Sequence, residues 1–567
     1  MDGDIFSYFR TSANRFGFRL GTVALLASLV VLLPTLAMAQ PPVAELPRVY
    51  IDTTWNPPVG TIWPAHNSTD LANVLNSAQP GDTIVLDAGV IYSGNFTLPA
   101  KNNPNRQWIY IETSALSGLP NPGTRVTPAN AGLMPKIVTP NNVAAFTLAP
   151  SGGFVRFVGI EMYSTSTYGA DPTHTPWPIN GFTSYLLFGN SVSNVTVDRC
   201  YFHGSATEDI IRGAGFASNS SYIAIVDSDI RDIHGWAYDS QAFASYASPG
   251  PFKLVNNFLS ASSEDVMFGG AGGYSNPYVP SDIEIRHNHF WKDPGWEPMT
   301  SGTRPWEWSI KNNLECKSCL RILVTGNLME NAWYGSDQTG SNIVLTPRTR
   351  QSGQNSVVDD VTIVSNLLRN ANYGFTIAGF DNTCTPSVGC TNQGETKRVV
   401  IRNNLILTRD PNDVASYHPT GFTTGKKMDG LLYQHNTVQG INGTQSWTSI
   451  FFNVTPNSGT GPTNMWILDN AFSDQPQGNG GYRGQAAIDV YIPLPAPDSV
   501  RYAGNAMFVP PGEQVATWPL HNYATTVPFT FVDPSSGNYQ LVTPAWTDTS
   551  DGKISGVDMN ALNTAIQ

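Results

Sequence analysis

Short runs of four to six residues, rich in Val and Ile, alternate apolar with polar positions, and run after run closes on one phrase. The phrase is an apolar strand, an Asn, any residue and an apolar residue. It reads LVNNF at Asn256, IRHNHF at Asn288, LVTGNLM at Asn327, IVSNLL at Asn366, VIRNNLI at Asn404, LYQHNTV at Asn436, ILDNAF at Asn470 and AGNAM at Asn505. Successive anchors lie 32, 39, 39, 38, 32, 34 and 35 residues apart. Two looser copies, VDRCYF at Cys200 and VDSDI at Ser228, extend the series upstream at spacings of 28. A period in this range, built from short strands broken by Asn, Gly and Asp, signals a solenoid whose repeats bury their apolar side only against their neighbours. Runs this short cannot be helix pairs. The pattern predicts a parallel β-helix with Asn256, Asn327, Asn366, Asn404 and Asn436 in one row at one corner. Asn suits that corner because it tolerates left-handed backbone and its amide can bond to the copy one coil away.

The pattern resembles the right-handed parallel β-helix (pectin lyase-like) superfamily, which includes pectate lyases and pectin lyases. The segment from Asp70 to Pro99 is similar to the opening of such proteins: a capping helix, a Pro-Gly-Asp turn and a first strand. Asp70 is the expected N-cap, and Leu71, Val74 and Leu75 form the apolar stripe. A cap of this kind covers the open edge of the first coil. The expected organisation is a signal segment over 1–39, a linker and capping helix over 40–83, the all-β solenoid over 84–505 and an irregular C-terminal cap over 506–567. The Pro-rich stretch from Gln40 to Asn67 is expected to wrap the amino-terminal end. The superfamily fixes the fold well and the reaction poorly.

Arg10, Arg15 and Arg19 precede an apolar stretch, Val23 to Leu33, and Ala37-Met38-Ala39 supplies a small-x-small cleavage site. The stretch is too short to span a bilayer. A secreted protein, extracellular or periplasmic and without a membrane association after cleavage, is therefore expected. Removal of that segment takes the net charge from −12 to about −13, which argues against a nucleic-acid partner. Only 13% of residues are charged, as suits a long thin core with polar turns. A monomer is expected.

Asp551-Gly552 followed by Asp558 is half of an EF-hand loop, with Thr547 and Thr549 where the first acidic ligands belong. Charge that sparse points to a capping turn, and calcium stays open as a cofactor without a motif to support it. Five Cys is an odd number for an oxidising compartment. Cys384 and Cys390 are expected to pair. Cys316 and Cys319 either face the core or pair with each other, and Cys200, in an anchor slot, should be a buried free thiol. His287 and His289 flank Asn288 and are read as corner packing, and no metal site is expected.

The longest coils fall between Ser262 and Asp381, so projecting loops there should wall a groove. Residues Asn312, Glu315, Lys317, Asn327, Glu330, Trp333, Gln338 and Arg348 match a run, N-x-x-E-x-K, G-N-x-x-E-x-x-W, Q and T-P-R, found in a group of secreted bacterial β-helix proteins. The LECKS segment is also similar to the N-K-S segment of the chondroitinase B and alginate lyase family, where a Lys acts as base and an Arg on the next coil assists. The partner motif there is L-R-H-G, whereas this chain has LTPR at Leu345 to Arg348. The resemblance implies Lys317 as base, Arg348 as its assistant and Glu315 beside them.

Alternation in LECKS turns Leu314 and Cys316 inward and Glu315 and Lys317 outward. In NIVLTPR, Ile343 and Leu345 face in, so Thr346 and Arg348 face out. On adjacent strands about 4.8 Å apart, Lys317 would meet Thr346 or Arg348. An exposed Lys beside an Arg has its pKa lowered, and the Arg can neutralise a uronate carboxylate. The alternative is a surface ladder in which Glu315, Lys317 and Arg348 hold the coils in register. Trp296, Trp306 and Trp333, with Glu330, Gln338 and Lys292, are the candidate sugar-binding residues, at least one Trp being exposed. The preferred reading is a secreted polysaccharide lyase acting on a uronic-acid-containing glycan. Two others stand beside it: a non-catalytic glycan-binding or surface solenoid, and a glycoside hydrolase using two carboxylates from Glu264, Asp265, Glu315 and Glu330.

Overall fold

A computed structural model describes residues 40–567 apart from 57, 174–178, 237, 271–277, 299–307, 335–339, 349–355, 380–392, 410–419, 426–427, 442–447, 455–460, 493–500, 510–520 and 544–545. The expected signal segment, Trp306, Gln338, Cys384 and Cys390 lie outside the described residues. Among those described, strands return coil after coil to three long sheets of 14, 13 and 14 strands. All pairing in them is parallel except at the end of the second sheet, where Gln477 opposes Arg483. Parallel strands joined by crossovers in one sheet coil right-handedly in nearly every known case. The fold is the expected parallel β-helix.

Each coil places its apolar residues in register with the next. Ile283, Ile322, Val361, Val399, Leu431 and Met465 form one continuous file of paired positions in the first sheet. In the second sheet Phe216, Phe243 and Phe268 stack inward, with ring centroids 6.1 and 5.6 Å apart. Burying one such side chain contributes roughly 1.5–3 kcal/mol, and repetition along the axis makes a single thin core.

The polar corner between the first and third sheets is a hydrogen-bonded ladder. Each ladder Asn accepts, through its side-chain oxygen, the backbone N–H of the equivalent residue one coil earlier, at 2.8–3.1 Å from Asn257 through Asn288, Asn327, Asn366, Asn404, Asn436, Asn470, Asn505 and Asn522. Ser228 and Cys200 fill the same slot upstream, Cys200 N–H donating to Ser228 Oγ and Ile160 N–H to the buried free thiol. One expected member is corrected. Asn256 is not in the row; Asn257 is. Asn256 has φ 58° and occupies the left-handed position before the ladder residue, as His287, Gly326, Ser365, Asn403, His435, Asp469 and Gly504 do in later coils. Two adjacent residues thus divide the work: one turns the chain and the next bonds across coils. The row also runs one coil beyond Asn505.

The helix α1 (Ser68–Ser77) buries Leu71, Val74 and Leu75 as expected, but its N-cap is Asn67 rather than Asp70. Asp70 sits three residues in, and its carboxylate accepts from His66 N–H and Asn67 Nδ2. The first sheet already begins at Ile62–Ala65, ahead of the expected start of the solenoid. Residues 41–56 do not wrap the amino-terminal end. They run lengthwise along the coils, Glu45 N–H bonding Asp360, Arg48 N–H bonding Asp282 and Lys253 reaching Ile51 O. The tail likewise turns back along the ladder corner, where Tyr539, Val557, Met559 and Leu562 pack on Leu405 and Leu407. No helix among the described residues is long and apolar enough to cross a membrane.

Candidate functional site

Four consecutive strands of the second sheet build the site: β1 (Gln241–Ala247), β2 (Glu264–Phe268), β3 (Leu314–Cys316) and β4 (Ser341–Leu345). Val266, Leu314 and Ile343 stack in register and face the core, as do Phe268, Cys316 and Leu345. That register brings the LECKS and LTPR segments onto neighbouring coils, with Arg348 N–H donating to Lys317 O at 2.9 Å. Cys316 and Cys319 are disulfide-bonded, so both open alternatives hold: they lie in the core and they pair.

Glu315 and Lys317 leave the core side as expected, but only a small part of each side chain is exposed. Both are buried, and Glu264 with them. Gly269 and Gly270 lie against Lys317 and Ser318 with φ of 81° and 78°; a Cβ on Gly270 would come within 2.4 Å of Lys317 Cδ. Only glycine combines that backbone with that approach. Lys317 Nζ is 3.5 Å from Glu264 Oε1, 3.4 Å from Glu315 Oε2 and 3.3 Å from Met267 Sδ. Gln241 Nε2 donates to Glu264 Oε2, and Asn312 Nδ2 to Glu315 Oε2 at 3.3 Å. Lys311, bonded to Asp239 at 2.6 Å, adds a second positive charge nearby.

The two carboxyl groups converge on the same Lys317 ammonium, so the charge on one opposes ionisation of the other. Burial pushes Glu315 up, Lys317 opposes it and the Glu264 charge adds to it, leaving Glu315 at about 7. Burial also works against Glu264, but Lys317 and Lys311 outweigh it and hold that carboxylate well below its usual range. Lys317 moves the opposite way to expectation. Burial lowers it and Arg348 lowers it slightly, but Glu315 and Glu264 together raise it above an ordinary lysine. Lys317 is therefore a fixed ammonium, and the group poised near neutrality is Glu315.

The remaining candidates are placed elsewhere. Trp296 and Trp333 are buried with Trp308 and Ile310 in a small apolar cluster, His234 stacking on Trp308 at 3.7 Å. They pack a loop onto the scaffold and present no face to a sugar, correcting the expected exposed Trp for the two that are described. Lys292 is fully buried, donating to Ala261 O at 2.8 Å, Ser263 O at 2.7 Å and Asp265 at 3.5 Å. Glu330 lies on the third sheet, held by His289 at 2.6 Å and Arg369 at 2.5 Å. Neither joins the Lys317 cluster. Of the four carboxylates considered for hydrolysis, the structure brings together only Glu264 and Glu315. Asp265 instead bonds Asn313 Nδ2 at 2.8 Å, with burial raising it to about 7.

Gln241, Lys311 and Asp239 were missed in the sequence, each lying on a different strand or loop from the LECKS motif. Exposed aromatic faces were also missed. Tyr168 and Tyr238 are exposed and flank Phe182, with ring centroids 6.5 and 5.3 Å apart. Tyr238 directly precedes Asp239, the partner of Lys311. A cavity of about 590 Å³ lies far along the chain at His435, Asn403 and Asp558 against the tail, away from this cluster.

No protein-family model matches the chain, and no curated protein matches it. Among solved structures it is similar to an alginate lyase from Paenibacillus sp., with 12% identity and a TM-score of 0.30 over 74% of this chain and 96% of that one. It is similar to a pectate lyase at 11% identity and a TM-score of 0.31, over 74% of this chain and 76% of that one. It is also similar to the catalytic unit of an alpha-1,3-glucanase from Streptomyces thermodiastaticus at 10% identity and a TM-score of 0.37, over 73% of this chain and 69% of that one. No residue role is carried across from them; the parallel β-helix assignment stands on the three sheets and the Asn ladder.

Proposed function

We propose that the chain is a carbohydrate-active β-helix protein, a polysaccharide lyase whose centre is the Glu264, Glu315 and Lys317 cluster with Arg348. The observation that carries this reading is a pair of buried carboxyl groups, Glu264 and Glu315, converging on the Lys317 ammonium, with Glu315 raised to about 7. In β-elimination a base removes the proton on the carbon bearing the uronate carboxylate. The electron pair forms a double bond to the neighbouring carbon, and the glycosidic oxygen on that carbon leaves and takes up a proton. The ionised form of Glu315 suits the base, since its pKa lies close to working pH, and its protonated form can return the proton to the leaving oxygen. Lys317 and Arg348 suit the carboxylate, whose neutralisation makes the adjacent proton more acidic. The Arg348 guanidinium is complementary in charge to an anionic sugar. The Tyr168, Phe182 and Tyr238 row supplies apolar faces for neighbouring rings.

This reading keeps the reaction expected from the sequence and reassigns its parts, with Glu315 in place of Lys317 as base. Secretion and a polysaccharide partner belong to the same proposal. The test is incubation with alginate, pectins and glycosaminoglycans while following the absorbance of the unsaturated uronate product. Product from at least one polymer, abolished in Glu315→Gln, is expected. Saturable binding of an acidic glycan without product would instead assign the chain to the non-catalytic binders.

A further inference from the structure

The turned-back tail brings three metal-ligating side chains together at the ladder corner. His435 and Asp469 are the left-handed residues of adjacent coils, with φ of 53° and 60°, and His435 N–H bonds Leu468 O. Asp551 arrives from the tail. His435 Nε2 lies 3.2 Å from Asp551 Oδ2 and 3.7 Å from Asp469 Oδ2, and the ligand atoms of all three fall within 4.8 Å of one another. Among the described residues no other group of His, Cys, Asp and Glu meets that spacing.

We propose that His435, Asp469 and Asp551 form a zinc-class divalent-cation site that clamps the C-terminal tail to the solenoid. An ion bound tetrahedrally at 2.0–2.1 Å from its ligands holds them about 3.3 Å apart, and the two His435 distances bracket that edge. His435 Nδ1 faces Gly556 O at 3.3 Å, which fixes the ring with Nε2 toward the carboxylates, the outer-shell arrangement that orients a ligating imidazole. Asp469 is oriented in the same way, by Gln434 Nε2 at 2.8 Å and by Ser550 N–H at 2.8 Å. One imidazole and two carboxylates suit zinc; calcium would need six to eight oxygens, which this corner does not gather. The cavity of about 590 Å³ beside His435, Gly552 and Lys553 gives an aqueous fourth ligand a way in. The EF-hand register is not used. Asp558, its twelfth position, accepts from Asn560 N–H and Ala561 N–H as the N-cap of the last helix, and Thr549 Oγ1 bonds Lys553 O.

The test is calorimetric titration of the full chain, stripped with EDTA, with ZnCl2 and separately with CaCl2. One zinc per chain is expected, with calcium at least about 10-fold weaker. His435→Ala and Asp551→Asn should each weaken zinc binding by at least about 10-fold, since even outer-shell losses cost that much. Asp551 is partly exposed, so its variant keeps the buried corner intact. Zinc should also slow proteolysis of the tail in the wild type and not in Asp551→Asn. Zinc binding unchanged in Asp551→Asn, absence of binding, or a preference for calcium would overturn the site.

Discussion

Replacing one Asn in the middle of the ladder isolates what holds the coils in register. Asn366 is fully buried. Its oxygen accepts the Asn327 backbone N–H and the Asn327 amide, both at 2.9 Å, while its own amide donates to Val324 O at 3.1 Å and Asn404 Oδ1 at 3.0 Å. In Asn366→Ala the backbone N–H of Asn366 keeps its bond to Asn404, but the Asn327 N–H loses its acceptor inside the protein. An orphaned buried donor costs about 1–3 kcal/mol, and loss of the cross-coil amide bond adds about 1 kcal/mol, for about 2–4 kcal/mol in all. Asn366→Ser should cost roughly half as much. At the same slot upstream, Ser228 Oγ accepts the Cys200 N–H at 3.0 Å and donates to Val226 O at 2.8 Å. The assay is urea denaturation followed by circular dichroism, with hydrogen exchange by mass spectrometry on peptides covering 320–332. Exchange there should rise most in the Ala variant, because solenoid stability is set by nearest-neighbour coils. An Ala variant as stable as wild type, or a Ser variant less stable than Ala, would refute the assignment of register to this ladder.

Other expectations concern the carboxyl pair. Lys317→Met should destabilise the protein by about 3–5 kcal/mol, because it leaves the Glu264 carboxylate buried without its cation; Lys317→Met combined with Glu264→Gln should recover much of that loss in a denaturation cycle. Glu315 is raised from 4.5 to about 7 by folding, so its folded form binds more protons than its unfolded form between those values. Its contribution to stability is full below 4.5 and is lost as pH rises through 7. The difference in unfolding free energy between wild type and Glu315→Gln should therefore fall across that window, and a flat difference would show that folding does not raise Glu315. Substituting Tyr238→Ala should weaken binding of an acidic oligosaccharide while leaving the melting temperature unchanged; an unaltered affinity would remove the aromatic row from the binding surface.

The fold was legible because one offset recurs: a strand of fixed length followed by a corner residue forces equivalent positions onto one file. It misled at Asn256 because two Asn are adjacent there, and only the three-dimensional turn distinguishes the left-handed residue from the ladder residue. Leu314, Cys316, Ile343 and Leu345 faced the core as alternation required. What alternation could not convey is what lies over the outward side. Gly269, Gly270 and Met267 come from another coil, and Glu264 meets Lys317 only through register across more than forty residues. That is why Lys317 read as an exposed base and is a buried cation. Trp296 and Trp333 misled for the same reason, since an aromatic residue in a loop serves packing and sugar stacking equally well in sequence. The paths of residues 41–56 and of the tail rest on scattered, non-repeating long-range contacts, such as Glu45 with Asp360 and Asp551 with His435, which leave no periodic trace.

The most direct measurement of the central claim is the pH dependence of unsaturated-uronate formation in wild type, Glu315→Gln and Lys317→Arg. The wild-type rate should rise with pH through about 7 as Glu315 loses its proton, Lys317→Arg should keep that rise, and Glu315→Gln should lower the rate by about 10²–10⁴-fold at every pH. Absence of product from every acidic polymer between pH 5 and 9, or a rate that Glu315→Gln leaves intact, would contradict the account.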